Sequence, residues 1–140
     1  MEREEIARMN PLSLAFAGDA AEALRVKSRL VLENDVSSHV MQNLSVRYLC
    51  CEAQAKAAQE VFDSLTEEEQ AVFRRARNAR VSTVPKHATP ADYHLAPAIE
   101  AVLGFLYLAG DVARCEELID RMCGFTDGKE GFPCRVLNRM

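Results

Sequence analysis

From Leu44 the apolar residues recur at alternating four- and three-residue steps, through Tyr48, Cys51, Ala55, Ala58 and Phe62 to Leu65. That spacing draws one stripe down a long helix and fits no strand. No alternating pattern of useful length appears anywhere in the chain, so the expectation is an all-α domain. With 140 residues, 49% of them hydrophobic, the chain can fill one sizeable core but not two. Residues 1–124 are read as that single domain and residues 125–140, with Gly128, Gly131 and Pro133, as a tail.

Further helices have their own signals. Thr66 and Glu69 stand at capping-box spacing in TEEEQ, so a helix should start there, turn Val72, Phe73 and Ala76 inward and end in RRARNAR. Residues 81–94 hold two prolines and no sustained period, and read as a long loop. Pro97 is placed in the first turn of the next helix, which would set Glu100 near its start. Asp111 can cap a last helix bearing Val112, Cys115, Leu118, Ile119 and Met122, closed by Gly124. A first helix over about residues 11–32 and the helix of Glu100 are too apolar for surface helices, and should form the centre of a non-repetitive bundle.

Two carboxylates stand alone in these apolar stretches. Asp19 is the one charge in residues 11–21 (PLSLAFAGDAA), and Glu100 the one charge in residues 95–110 (LAPAIEAVLGFLYLAG). Burying an ionised carboxylate without a partner costs far more than the surrounding packing returns. If the two helices pack together, Asp19 and Glu100 can meet at a common opening, and a hard divalent cation there would offset the cost.

Other chemistries find little support. Five cysteines, Cys50, Cys51, Cys115, Cys123 and Cys134, fit neither zinc spacing nor a disulfide framework and read as reduced thiols. His39, His87 and His94 form no ligand pair at helical spacing. No apolar run is long enough to span a bilayer, since Pro97 and Glu100 interrupt the longest. The opening MEREEIAR lacks the features of a secretory signal, which gives the expectation of a cytoplasmic protein.

Three segments, NPLSLAFAGDAAEAL, LTEEEQAVFRRARNARVSTVPK and AIEAVLGFLYLAGD, resemble in order and spacing the diagnostic blocks of Mini-ribonuclease III. This is the short bacterial relative of ribonuclease III that lacks a double-stranded-RNA-binding domain, and the similarity covers roughly residues 8–122. The resemblance implies a ribonuclease III-like helical endonuclease domain, acting as a homodimer with Mg²⁺ on double-stranded RNA and leaving 5′-phosphate and 3′-hydroxyl ends. It also implies that the substrate is the precursor of large-subunit (23S) ribosomal RNA, trimmed at its paired ends. The family's metal-binding catalytic carboxylates fall on Asp19 and Glu100.

Departures from the wider family matter. Full-length ribonuclease III enzymes carry further carboxylates where this chain has Leu12, Ala15 and Pro97, and their loss is shared with the short branch. The family commonly has a Glu four residues after the GD aspartate; here that place holds Ala23, and Glu22 comes one position earlier. Three residues from Asp19, Glu22 can share its helix face as an outer-shell ligand, or it can be a solvated residue paired with Arg25.

The net charge of −4 is unusual for a nucleic-acid binder, but its distribution is uneven. Arg74, Arg75, Arg77, Asn78, Arg80 and Lys86 form a basic stretch without an acid, and Arg25, Lys27 and Arg29 add a second group. Such a rim suits A-form duplex, which is recognised largely by shape, phosphates and 2′-hydroxyls. The same arginines would also close a helix that begins in TEEE, because cations favour the C-terminal end of the helix dipole. Two rival classes are a catalytically inactive ribonuclease III-like module binding RNA or the ribosome, and an all-α magnesium-dependent nucleotide pyrophosphatase. The second would place carboxylates in pairs one turn apart on each helix, and single carboxylates argue against it.

Overall fold

The computed structural model describes residues 1–79 and 90–125. Seven α-helices and no strand occur among them: α1 (Arg3–Ala7), α2 (Pro11–Glu33), α3 (Ser38–Leu49), α4 (Cys51–Val61), α5 (Glu67–Arg77), α6 (Pro90–Leu108) and α7 (Val112–Cys123). No helix among the described residues is long and apolar enough to cross a membrane. The all-α expectation holds.

Several helix ends follow from local chemistry. α2 opens with Pro11 at its first position, where a missing N–H costs nothing, and Asn10 Oδ1 accepts from Leu12 N at 2.9 Å. α5 carries the reciprocal capping box, with Glu69 N donating to Thr66 Oγ1 at 3.1 Å and Thr66 N to Glu69 Oε1 at 2.9 Å. Glu69 is 2% exposed, and Arg114 of α7 grips its two oxygens at 2.9 and 3.0 Å. α7 ends at Gly124, whose φ of 71° is the left-handed conformation that glycine adopts without strain. Asp111 precedes α7 as expected, but its side chain makes no capping hydrogen bond and instead faces Arg3 at 3.6 Å.

Three expectations are corrected. The stripe from Leu44 to Leu65 belongs to two helices and a 3-10 turn, because the backbone at Cys50 is extended and ends α3 while starting α4. The reason is tertiary: α3 packs against α2, whereas α4 packs against α6 and α7, and a straight rod could not lie along both sets of partners. α6 starts at Pro90 rather than in the turn holding Pro97, so residues 90–94, read as the end of a loop, are helical, while 81–89 lie outside the described residues; Pro97 lies inside the helix and Glu100 is near its middle. The helix-start preference for proline was real but belonged to the earlier proline. The short α1, which buries Ile6, carried too few residues to register as a periodic pattern.

α6 is the central element. Ala98, Ile99, Ala101, Val102, Leu103, Phe105 and Leu106 are fully buried, as expected of a helix apolar on all sides. α2 lies along it more extensively than any other helix does. Only one face of α2 is covered, however: Leu14, Val26 and Leu30 enter the core while Phe16, Leu24, Val31 and Leu32 are exposed. The expectation that α2 is too apolar for a surface helix is therefore corrected, although it does pair with α6 at the centre. Phe125, assigned from sequence to the tail, is buried, with its ring 4.6 Å below the Arg29 guanidinium and 5.4 Å from that of Tyr48.

Candidate active site

The crossing of α2 and α6 is set by two glycines. A Cβ on Gly18 would overlap the Glu100 carbonyl oxygen and lie 2.8 Å from Gly104 N; a Cβ on Gly104 would overlap the Leu14 carbonyl oxygen and lie 2.9 Å from Gly18 N. The two backbones thus touch without side chains between them. Asp19 follows Gly18, and Glu100 precedes Gly104 by one turn, so the close approach brings these two carboxylates together from positions 81 residues apart.

Their neighbours complete the cluster. Glu22, one turn beyond Asp19, is 1% exposed, and Gln54 of α4, itself 4% exposed, donates from Nε2 to Glu22 Oε2 at 3.1 Å. Glu22 Oε1 is buried with no hydrogen-bond partner. Asp19 is exposed and Glu100 half-buried, so the carboxylates run from solvent inward. The solvated reading of Glu22 is corrected, since Arg25 turns instead to Asp120 and Glu116 of α7, at 2.8 and 3.1 Å.

Electrostatics mark the same place. Burial, reinforced by the charges of Asp19 and Glu22, pushes the Glu100 carboxyl up to about 8, against a hydrogen bond from Gln54 that lowers it. The Glu22 carboxyl is likewise pushed up to about 8, chiefly by burial and also by Asp19, with Gln54 opposing. Two buried acids that resist ionisation beside a third are what a divalent cation would relieve. Among the described residues no three Asp, Glu, His or Cys side chains converge as a ready-made metal cage. The donor set suits Mg²⁺ nonetheless, because that ion keeps several waters and needs only one or two carboxylates.

The basic stretch divides. Arg75 donates to the carbonyl oxygens of Ala7, Arg8 and Met9, closing the end of α1. Arg74 bonds Gln70 at 3.4 Å and lies 5.8 Å from the centre of the Phe62 ring. Arg77 and Asn78 are exposed at the end of α5, while Arg80 and Lys86 lie outside the described residues. Of the second group, Arg25 and Arg29 are held in ion pairs, Arg29 with Glu33 at 3.0 Å, leaving Lys27 exposed. His39 is exposed and His87 lies outside the described residues. Gln54 is the residue that sequence reasoning missed; its one signal was a polar amide on the buried side of an otherwise alanine-rich stripe.

The Ribonuclease III domain family matches residues 12–111. The chain belongs to that family. Within it the similar curated proteins carry the name Mini-ribonuclease 3. One from Symbiobacterium thermophilum is 38% identical over 84% of this chain and 90% of its own length, and one from Brevibacillus brevis is 35% identical over 92% and 99%. A crystal structure of a Fusobacterium nucleatum protein superposes with a TM-score of 0.75 at 25% identity, covering 81% of this chain and 90% of that one. This ribonuclease III-family member is thus an endoribonuclease of the Mini-ribonuclease III type with a ribonuclease III-like all-helical domain.

Proposed function

We propose that the cluster at the α2–α6 crossing is the Mg²⁺ site of a double-stranded-RNA endonuclease, with Asp19 and Glu100 as its metal-binding catalytic carboxylates and Glu22 as an inner support. The observation that carries this reading is the close backbone approach at Gly18 and Gly104, which sets Asp19 beside Glu100 with a buried, unpartnered Glu22 oxygen one turn away. Bound there, Mg²⁺ supplies an activated water and neutralises charge on the scissile phosphate. Asp19, exposed at the mouth, would meet the ion and the substrate together. Glu100 would close the site from below, and the surrounding α6 core limits water to the mouth.

In this reading Arg74, Arg77 and Asn78, continued by Arg80 and Lys86, contact duplex phosphates, and Arg75 supports them by fixing α5 to the end of α1. Residues 1–124 are the catalytic unit, acting in the cytoplasm as a homodimer. The apolar face of α2 favours the dimer, since Phe16 and Leu24 are 85% and 64% exposed and Leu24 lines a groove of about 450 Å³ between α2, the end of α6 and α7. A two-fold dimer would present equivalent sites to the two antiparallel strands of a duplex. The paired ends of the 23S ribosomal RNA precursor are the proposed biological substrate.

Purified protein with Mg²⁺ and a long RNA duplex tests the core of the proposal. Asp19→Asn and Glu100→Gln should each abolish cleavage while circular dichroism and sedimentation stay as in the wild type, and products should carry 5′-phosphates. Retained cleavage by either variant would refute the metal site.

A further inference from the structure

We infer that Gln54 is a positioning residue of this site, its side-chain amide tying Glu22 of α2 and Glu100 of α6 into one arrangement from α4. The inference rests on the metal-site reading above. Gln54 is the only polar residue on the buried face of α4, whose other buried members are Ala55, Ala57, Ala58 and Val61. An amide in such surroundings is costly unless both its hydrogens find acceptors. Nε2 donates to Glu22 Oε2 at 3.1 Å, and the amide lies close enough to the Glu100 carboxyl to favour its ionised form.

The choice of residue type has consequences. Lysine or arginine in this place would supply a permanent positive charge and compete with a cation for the two acids. A glutamine holds them by hydrogen bonds and leaves their negative charge available. It also engages only one oxygen of Glu22, and the other remains without a partner. Three helices far apart in sequence are thereby linked at the point where the carboxylates must keep their spacing. Partners that orient ligands from behind in this way typically contribute about 10- to 100-fold in metal affinity or activity.

Gln54→Leu removes both donors while nearly preserving size. The RNA-free protein is titrated with Mn²⁺, the free ion being followed by electron paramagnetic resonance, and kcat and KM are measured on a long RNA duplex with Mg²⁺. Mn²⁺ affinity and kcat should each fall about 10- to 100-fold, while KM moves less than about threefold and the thermal melt stays cooperative. In a Glu22→Gln background, Gln54→Leu should add little, because the two act as one unit. Wild-type Mn²⁺ affinity and kcat in folded Gln54→Leu would overturn the inference. Should that variant fail to fold, Gln54→Met carries the same expectations and the same refutation. Asp19→Asn and Glu100→Gln run in parallel. If they leave Mn²⁺ binding and cleavage intact, the metal-site reading itself fails; if they abolish both while Gln54→Leu is silent, only the positioning role fails.

Discussion

Gly104→Ala separates two opposed physical expectations. In a helix interior, replacing Gly by Ala ordinarily stabilises by about 1 kcal/mol, because the backbone loses less freedom on folding. At this crossing the added Cβ would overlap the Leu14 carbonyl oxygen and stand 2.8 Å from the Leu14 carbonyl carbon and 2.9 Å from Gly18 N. All three are backbone atoms, so no side chain can swing aside. Ordinary carbon contacts lie at about 3.5 Å or more, and α2 and α6 must therefore part by roughly 1 Å. Overpacking of a close-packed core costs about 1–3 kcal/mol, and a backbone clash belongs at the upper end.

The consequence for activity follows from the same displacement. Asp19 adjoins one glycine and Glu100 lies one turn from the other, so parting the helices widens the carboxylate spacing directly. A misplacement of about 1 Å can cost on the order of 100-fold in rate. Thermal melts of Gly104→Ala should show a midpoint lower by about 10 °C, given the usual scaling for a domain of this size. Cleavage of duplex RNA in Mg²⁺ should fall about 100-fold. A midpoint equal to or above the wild type with undiminished cleavage would refute the close-approach argument and leave helix propensity as the governing effect.

Other perturbations address charge. The Glu22 carboxyl, raised from 4.5 to about 8, stays protonated in the folded protein long after the unfolded chain has released its proton. Its contribution to stability is complete below pH 4.5 and disappears as pH rises through about 8, so in EDTA the advantage of Glu22→Gln over the wild type should grow across that window; a constant difference in melting temperature would contradict it. Arg114→Met leaves Glu69 buried without its cation and should cost about 3 kcal/mol in urea denaturation at pH 7. Burial raises the Glu69 carboxyl, but the bonds from Arg114 and Thr66 outweigh that and hold it below its ordinary value, so the deficit should shrink as pH falls below the ordinary carboxylate range; persistence at pH 3 would disprove this. Arg77→Ala should weaken duplex binding and reduce the salt slope by about one, whereas Arg75→Ala should chiefly lower the melting temperature; identical salt slopes for Arg77→Ala and the wild type would remove Arg77 from the RNA surface.

Local signals survived folding where the chemistry that makes them is itself local. The Thr66–Glu69 capping box and Gly124 satisfy helix ends from within a few residues, so α5 and the end of α7 were readable in the chain. The extended residue at Cys50 was not, because no glycine or proline marks it and its cause is the divergence of the surfaces against which α3 and α4 pack. Pro90 and Pro97 both suit a first turn, and only packing decides between them. Among the site residues, Asp19 and Glu100 stood out because each interrupts an apolar run, which is a property of its neighbours in sequence. Gln54 acquires its meaning from two helices outside its own segment. Arg25 looked like a free basic residue for the same reason: its partners Asp120 and Glu116 come from the far end of the chain, as does the Phe125 ring beneath Arg29, whereas Glu33, the ion-pair partner of Arg29, is local.

The one-residue displacement of the second acid on α2 connects these points. Successive helical residues are about 100° apart around the axis, so positions three and four residues after Asp19 lie on opposite sides of its radial line. Ala23, at the place where the family commonly has a Glu, is half-buried, whereas Glu22 is on the inner side and 1% exposed. A carboxylate at position 23 could draw on water. At position 22 it cannot, and it needs a donor from the protein interior. α4, which packs on α6, reaches that side with Gln54. The exchange of Glu22 for a residue at position 23 is thus coupled to the identity of residue 54: moving the acid outward by Glu22→Ala with Ala23→Glu should remove the dependence of the site on Gln54. In that double variant Gln54→Leu is expected to leave Mn²⁺ affinity unchanged, and a loss as large as the one expected in the wild-type background would show that Gln54 acts through Glu100 alone.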